Sequence, residues 1–361
     1  MFKRRYAALL PLVVLLSACS SKPKVTQAET TTSPAPSGGF LLEPQHNVML
    51  LGGDFANNPA AEQFIDKMVS KHGFDRQQLQ EILSQAKRLD SVLRLMDRQA
   101  PTTGMPPSGP NGAWLRYRKQ FITPDNVQNG VAFWNQYEDA LTRAWQVYGV
   151  PPEIIVGIIG VETRWGRVMG KTRILDALAT LSFAYPRRAE YFSSELETFL
   201  LMARDERDDP LDLKGSFAGA MGYGQFMPSS YKEYAVDFNG DGHINLWDPV
   251  DAIGSVANYF KAHGWVKGDV VAVPAFGQAP GLENGFKTKY SVSQLAAAGL
   301  TPQQSLGNHQ EASLLRLDVG TGYEYWYGLP NFYAITRYNH STHYAMAVWQ
   351  LGQTVALSRV K

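Results

Sequence analysis

The sequence predicts an α+β protein, mainly α, in which a helical body carries one small β-containing insert. Three observations predict this. Apolar residues recur at helical spacing from about residue 58 to residue 262. Between 263 and 330, short β-branched and aromatic runs alternate with Gly and Pro. Helical spacing then returns at the end of the chain.

Asn58-Pro59 starts the first helix, in which Phe64, Ile65, Met68 and Val69 share a face, and Gly73 ends it. Asp75 with Gln78 reads as a capping-box start for a second helix carrying Leu79, Ile82, Leu83 and Ala86. Residues 101–112 form a Pro/Gly loop. Trp134, Tyr137, Leu141, Ala144, Trp145 and Tyr148 keep helical spacing up to Gly149, which predicts a further helix. Pro151-Pro152 opens an almost unbroken apolar run from Ile154 to Val161. Its length suits a strand, but the proline start and the helical surroundings favour a buried helix. Beyond 263, Val270 to Val273 and Leu315 to Val319 read as strands. The aromatic stretch from Tyr323 to Tyr338, broken by Gly328, Pro330 and Asn331, reads as strands and turns, and the last helix runs from about Ser341 through Leu351.

The 361 residues, 44% of them hydrophobic and 19% charged, suffice for one large domain or a few small ones, which excludes a disordered chain. The net charge is +1, and Lys3, Arg4 and Arg5 stand in an acid-free start; the remainder carries 31 basic against 33 acidic side chains. Such a near-neutral body lacks the footprint of a nucleic-acid binder, so no nucleic-acid partner is expected. The single cysteine excludes an intramolecular disulfide and a cysteine-built zinc site. There is no His-Glu-x-x-His, Gly-x-Ser-x-Gly or Cys-x-x-Cys, and no organic cofactor is expected.

Lys3-Arg4-Arg5 is a basic n-region, and Ala7 to Leu16 is an apolar stretch too short for a bilayer of about 30 Å but right for a signal-peptide core. Leu16-Ser17-Ala18-Cys19 resembles the lipobox of bacterial lipoproteins. That resemblance implies acylation of Cys19 after cleavage of residues 1–18. Ser20, in place of aspartate, implies sorting to the periplasmic face of the outer membrane. The alternative is an ordinary signal peptide with a chance cysteine. Residues 20–39, rich in Ser, Thr, Pro and Gly, form a flexible tether of roughly 25 Å on average and about 65 Å at full stretch.

From Asp237 to Asp248 the chain fits a twelve-residue EF-hand loop. Hard Ca²⁺ needs six or more oxygens, and Asp237, Asn239 and Asp241 stand at the first, third and fifth positions. Gly242 takes the sharp turn, His243 offers its backbone carbonyl, and Asp248 closes the loop. Asp248 is shorter than the usual glutamate, which predicts weaker calcium affinity with Na⁺ as a competitor. A lone loop of this kind suits a structural staple better than a sensor; an Asp/Asn/Gly turn with no ion is the bland alternative.

Glu162 stands at the end of the apolar run that starts at Ile154. Burial penalises the charged carboxylate, and the negative end of a helix dipole pushes the same way. A glutamate kept protonated near neutral pH is suited to donate a proton to a glycosidic oxygen. A salt bridge to Arg164 or Arg167 would explain the same residue structurally, with equal weight on this motif alone.

Glu162-Thr163-x-Trp165-Gly166, followed by Lys214 to Gly222 and by Gln225-Phe226-Met227-Pro228-Ser229, resembles the lysozyme-like lytic murein transglycosylases. With the EF-hand loop and Tyr338-Asn339-x-Ser341-x-x-Tyr344-Ala345, the sequence is similar to the membrane-bound B family of these enzymes. The motifs run from 162 to 345. The resemblance implies a lysozyme-like catalytic core and cleavage of the β-1,4 bond between N-acetylmuramic acid and N-acetylglucosamine, with the muramoyl C6 hydroxyl as nucleophile and a 1,6-anhydro product. Glu162 would act as acid and then as base, with the substrate's acetamido group stabilising the cation in place of a second carboxylate. Ser216 and Gln225 match substrate-contacting positions; Tyr338, Asn339 and Tyr344 would line the groove, with Phe226 as an apolar wall.

From chemistry alone, Tyr117 and Tyr191 are candidates to stack on sugars, although core or surface roles are as well supported. Arg187 and Arg188 are candidates for the carboxylates of stem peptides, against the simpler reading of a solvated face. The expected partners are therefore peptidoglycan strands and stem peptides, and the membrane through a lipid at Cys19; protein partners are not indicated. The expected division is a signal peptide at 1–18, a tether at 19–40 and a helical domain at 41–142. A catalytic core at 143–262 and 331–361 follows, with a β-rich insert at 263–330. Two rival readings stay open: a lysozyme-type hydrolase that uses water on the same bond, and a peptidoglycan-binding lipoprotein without catalysis.

Overall fold

The computed structural model describes residues 50–99 and 109–360. The lipobox, the tether and most of the Pro/Gly loop lie outside the described residues. Helix α1 (Pro59–His72) starts where the Asn58 side chain accepts from the amides of Ala60 and Ala61, and Gly73 ends it in the left-handed region. Asp75 caps α2 (Arg76–Ser84) through the Gln78 amide. After α3 (Asp90–Gln99) and α4 (Ala113–Arg118), the expected single helix around Trp134 to Tyr148 proves to be two, α5 (Pro124–Gln136) and α6 (Glu138–Tyr148). Tyr137 leaves helical geometry at φ −114° and ψ 28°, so it ends one helix and begins the next while the apolar spacing runs on unbroken.

Helix α7 (Pro152–Thr163) confirms the buried-helix reading: every residue from Ile154 to Thr163 is buried. Each large aliphatic side chain removed from water there contributes about 2 kcal/mol. Strand β1 (Thr172–Arg173), helices α8 (Ile174–Ala184) and α9 (Ala189–Glu206), and strand β2 (Lys214–Gly215) follow. The short α10 (Pro228–Tyr234) leads through the Asp-rich loop to α11 (Pro249–Ala262).

The insert holds β3 (Ala272–Phe276), β4 (Tyr290–Ser291), α12 (Val292–Ala297), β5 (Thr301–Pro302), β6 (Glu311–Asp318) and β7 (Tyr323–Gly328). The five strands form an antiparallel sheet in the order β4-β6-β7-β3-β5. Strand alternation divides β6 between two cores: Ala312 and Leu314 join the insert's own cluster, Leu315 and Leu317 the main one. The second half of the aromatic stretch, expected as strand and turn, is helix α13 (Pro330–Tyr338). Pro330 takes the first helical turn, where no amide is needed, and the Asn331 side chain is fully buried on the backbone of Val266 and Asp269.

Ser341 caps α14 (Thr342–Arg359), which packs along α7. A Cβ on Gly157 would lie 2.3 Å from the Val348 carbonyl oxygen, and one on Gly352 would lie 2.0 Å from that of Glu153. The two helices therefore meet backbone to backbone. Among the described residues, no single helix is long and apolar enough to cross a membrane.

Candidate active site

Glu162 is the penultimate residue of α7, and the turn after it is built to hold it still. Arg164, Trp165 and Gly166 all have positive φ, at 51°, 56° and 84°. This folds Trp165 back along its own helix, where its indole N–H donates to the Val156 carbonyl at 3.1 Å and its ring occupies the space a Cβ on Gly160 would need. The Thr163 hydroxyl donates to the Tyr223 carbonyl at 2.9 Å and accepts from the Gly166 amide at 3.1 Å, tying the helix end to the glycine-rich segment.

The carboxyl is 8% exposed. Among the described residues it has no salt bridge to Arg164, Arg167 or any other cation, which removes the structural alternative. Among the described residues its one hydrogen-bond partner is the Tyr344 hydroxyl, which donates to Oε1 at 2.5 Å. Burial pushes the carboxyl up to about 7, against the opposing pull of that hydroxyl. Tyr344 and Tyr338 are themselves buried and held well above the usual phenol range by burial and then by Glu162, so both stay neutral. The Tyr338 hydroxyl donates to the Gly224 carbonyl at 2.6 Å, and Tyr117 lies close enough to sense the Glu162 charge. Tyr117 packs with Trp114, Phe121 and His343, so four separate parts of the chain converge here.

The other candidates divide. The Ser216 oxygen accepts from the Ala218 and Ala220 amides at 3.3 and 3.0 Å, leaving only its proton for a ligand. Gln225 sits at φ 53° and donates to the Gly222 and Met169 carbonyls, leaving its amide oxygen without a donor among the described residues. Asn339 is buried beyond the end of α13. Phe226, expected as a groove wall, is 2% exposed and packs between Tyr259 and Tyr338, so it is core. Arg188 lies over the rings of Tyr191 and Phe192, while the exposed Arg187 pairs with Asp97 at 3.8 Å. Local spacing gave no sign of Glu195, a buried carboxylate that accepts the Ser229 amide and hydroxyl and thereby anchors the Gln225 to Ser229 segment on α9.

In the Asp-rich loop, Asp237 accepts from the amides of Gly240, Asp241 and Gly242, and these bonds hold its carboxyl below the usual range. Asp248, expected as the closing ligand, has its Oδ1 committed to the amides of Val250 and Asp251 as the N-cap of α11. The carboxylate that reaches back into the loop is Asp251, fully buried, with Oδ1 on the Phe238 and Asn239 amides and Oδ2 on that of Asn245. Asp251 thus ties the two ends of the loop together through their amides, while Asp248 caps α11 through Oδ1; Pro249, a first-turn residue, was the sequence signal for that cap. Among the described residues no three acidic, histidine or cysteine side chains converge as a metal cluster. The side chains of Asp237, Asn239, Asp241, Asp248 and Asp251 and the His243 carbonyl offer oxygen, the donor type that a hard cation takes.

The transglycosylase SLT domain family matches residues 56–353. The chain is 89% identical to a membrane-bound lytic murein transglycosylase B of Escherichia coli (strain K12), over all of both chains. Among solved structures, the E. coli lytic transglycosylase SLT35 in complex with calcium is similar at 88% identity and TM-score 0.84, covering 89% of this chain and 100% of that one. SltB3 of Pseudomonas aeruginosa in complex with NAG-anhNAM-pentapeptide is similar at 29% identity and TM-score 0.71, covering 82% and 79%.

Proposed function

The chain belongs to the transglycosylase SLT domain family and is a lytic murein transglycosylase; from that premise we propose that Glu162 alone supplies the acid and the base of the reaction. The observation that carries this is a buried carboxyl with no cationic partner, pushed up to about 7 and fixed through one oxygen by Tyr344. With Oε1 accepting from Tyr344, the proton resides on Oε2. It passes to the glycosidic oxygen as the bond from the muramoyl C1 breaks, and the N-acetylglucosamine residue leaves as an alcohol. The acetamido oxygen of the muramoyl ring shields the cation at C1. The C6 hydroxyl then attacks C1 and gives its proton to Glu162, so the 1,6-anhydro ring closes, no water is consumed and the acid is regenerated.

Around this step, Gln225 and Asn339 offer amide groups and Ser216 a hydroxyl proton to the sugars, and Tyr117 stacks on a ring. Tyr338 and Tyr344 act as the cradle of the acid. Tyr191 stacks on a further ring, and Arg187 and Arg188 meet the carboxylates of stem peptides. The loop ligands hold calcium, with Na⁺ as a competitor, as a structural staple of the segment before α11. Lipidated Cys19 keeps the enzyme on the periplasmic face of the outer membrane. The chain divides into a helical domain at 41–142, a catalytic core at 143–262 and 331–361, and an insert at 263–330.

The test is digestion of purified peptidoglycan followed by mass spectrometry of the fragments. The wild type should release 1,6-anhydromuropeptides, and Glu162→Gln, folded and still binding strands, should be slower by roughly 10²–10⁴-fold. Reducing-end fragments would replace cyclisation with hydrolysis. Near-wild-type turnover by the folded variant would remove Glu162 from the chemistry.

A further inference from the structure

Glu195 is a buried acid to which the reaction gives no task. It is 2% exposed, on the side of α9 that meets α10. Burying a carboxylate is costly, and starting α10 does not by itself require one. A polar side chain at the N-cap serves most helices, but the N-cap of α10 is Met227, which makes no side-chain bond. Glu195 supplies the missing acceptor from another helix. Its Oε2 accepts from the Ser229 amide at 2.8 Å and its Oε1 from the Ser229 hydroxyl at 2.6 Å.

What the charge adds lies back along α9. Tyr191, Phe192 and Glu195 share one stripe of that helix, and Arg188 stands immediately before its first residue. The Arg188 guanidinium lies over the Tyr191 ring, 4.5 Å from its centre, and 5.0 Å from that of Phe192. Burial pushes the Glu195 carboxyl up, while Ser229, the neighbouring Tyr191 hydroxyl and the Arg188 charge pull it back toward the ionised form. Arg188 is half-buried and makes no salt bridge among the described residues. Two ring faces and the buried charge behind them therefore draw the guanidinium to one place. Its planar set of N–H donors is left for an acceptor from outside the protein.

We propose that Glu195 is a positioning residue for two recognition elements at once: through Ser229 it sets the sugar-binding Gln225 segment, and through Tyr191 it holds Arg188 where a carboxylate of the substrate's peptide meets it. Glu195 is too deeply buried to touch substrate itself. A guanidinium with its fork unpaired selects a carboxylate over the neutral sugars, because two parallel N–H donors match its two oxygens. The inference rests on the stem-peptide reading of Arg188 given above. It adds that sugar and peptide are read by groups sharing one anchor, so a strand that carries peptides is bound more tightly than a bare one while that anchor is charged.

The experiment is steady-state cleavage, by the full chain, of a soluble tetrasaccharide of alternating N-acetylglucosamine and N-acetylmuramic acid, offered with and without its stem peptides. Glu195→Gln keeps the side chain's size and one acceptor but not the charge. It should raise KM about fivefold or more for the peptide-bearing substrate and less for the bare one. The kcat should change little, because Glu162 and Tyr344 stand on other helices. In an Arg188→Gln background the same substitution should raise both KM values equally, since the excess acts through Arg188. Two local variants decide the matter if Glu195→Gln fails to fold. Ser229→Ala should raise both KM values alike, and Tyr191→Phe, which keeps the ring, only that of the peptide-bearing substrate; no change in either overturns the inference. So does an equal rise on both substrates from Glu195→Gln alone, or an excess that persists without Arg188. An unchanged KM for the peptide-bearing substrate in Arg188→Gln alone overturns the stem-peptide reading instead, and the peptide half of the inference with it.

Discussion

Glu162 and Glu197 are equally exposed, 8% each, and their carboxyls lie at opposite ends of the acidic range. Burial pushes both up. At Glu162 nothing positive opposes it, and the carboxyl rises to about 7. At Glu197, on α9, Lys67, Lys71 and His72 from α1 surround the group and outweigh burial, holding it at about 2. Burial sets the stakes and neighbours decide the outcome. One carboxyl is kept protonated up to about pH 7; the other stays charged and clamps α1 to α9.

Stability against pH separates the two most sharply at Glu162. Its folded pKa is raised, so the native state binds a proton that the unfolded chain releases above about 4.5; stability falls as pH rises to about 7 and the loss is complete above that. Glu162→Gln should therefore be more stable than the wild type by about 3 kcal/mol at pH 8, and by almost nothing at pH 4.5, in denaturant melts at each pH. An advantage independent of pH would break the comparison. The same acid predicts that the cleavage rate declines as pH rises through about 7, because the donor is lost.

The Asp-rich loop tests whether a fully buried carboxylate can be held for an ion. Calcium at a hundred times its dissociation constant should stabilise the wild type by about 2.7 kcal/mol, and Asp251→Asn should lose most of that rise in calorimetric scans. Asp248→Asn should lose less.

Glu197 has the opposite sign. Its folded pKa is lowered, so its contribution is present in full above about 4.5 and is lost as pH falls toward about 2. Glu197→Gln should cost about 2 kcal/mol at pH 7, less than a sealed pair would, because Lys67 and Lys71 are partly in water. The deficit should shrink in melts below pH 4. The smallest effect belongs to Tyr344→Phe. Losing a hydroxyl that favours the charged carboxylate should move the alkaline limb of the rate profile upward by about one unit.

Much of this was legible in the sequence because it is local. Asn58, Asp75, Gly73 and Gly149 mark helix ends by chemistry that acts within one turn, and the apolar run from Ile154 announces a buried helix with Glu162 at its end. What escaped depends on partners far away in the chain. The Tyr137 break leaves the apolar spacing intact, and the helix from Pro330 is fixed by Asn331 reaching back to Val266. Asp251 looked like an ordinary first-turn residue of α11 until the amides of Phe238, Asn239 and Asn245 were folded onto it. Glu195 and Glu197 are ordinary helix residues until Ser229 and the α1 cations are folded against them.

The backbone contact between α7 and α14 has a consequence in time. Tyr344 follows Glu162 by 182 positions, so at 5–20 residues per second it is synthesised roughly 10–40 s later. During that interval Gly157 faces no Val348, the apolar flank of α7 is bare, and the carboxyl has no hydroxyl to fix it. A nascent chain is therefore an unarmed one. The acid is fixed in place only once α14, the last of the described helices, has packed along α7.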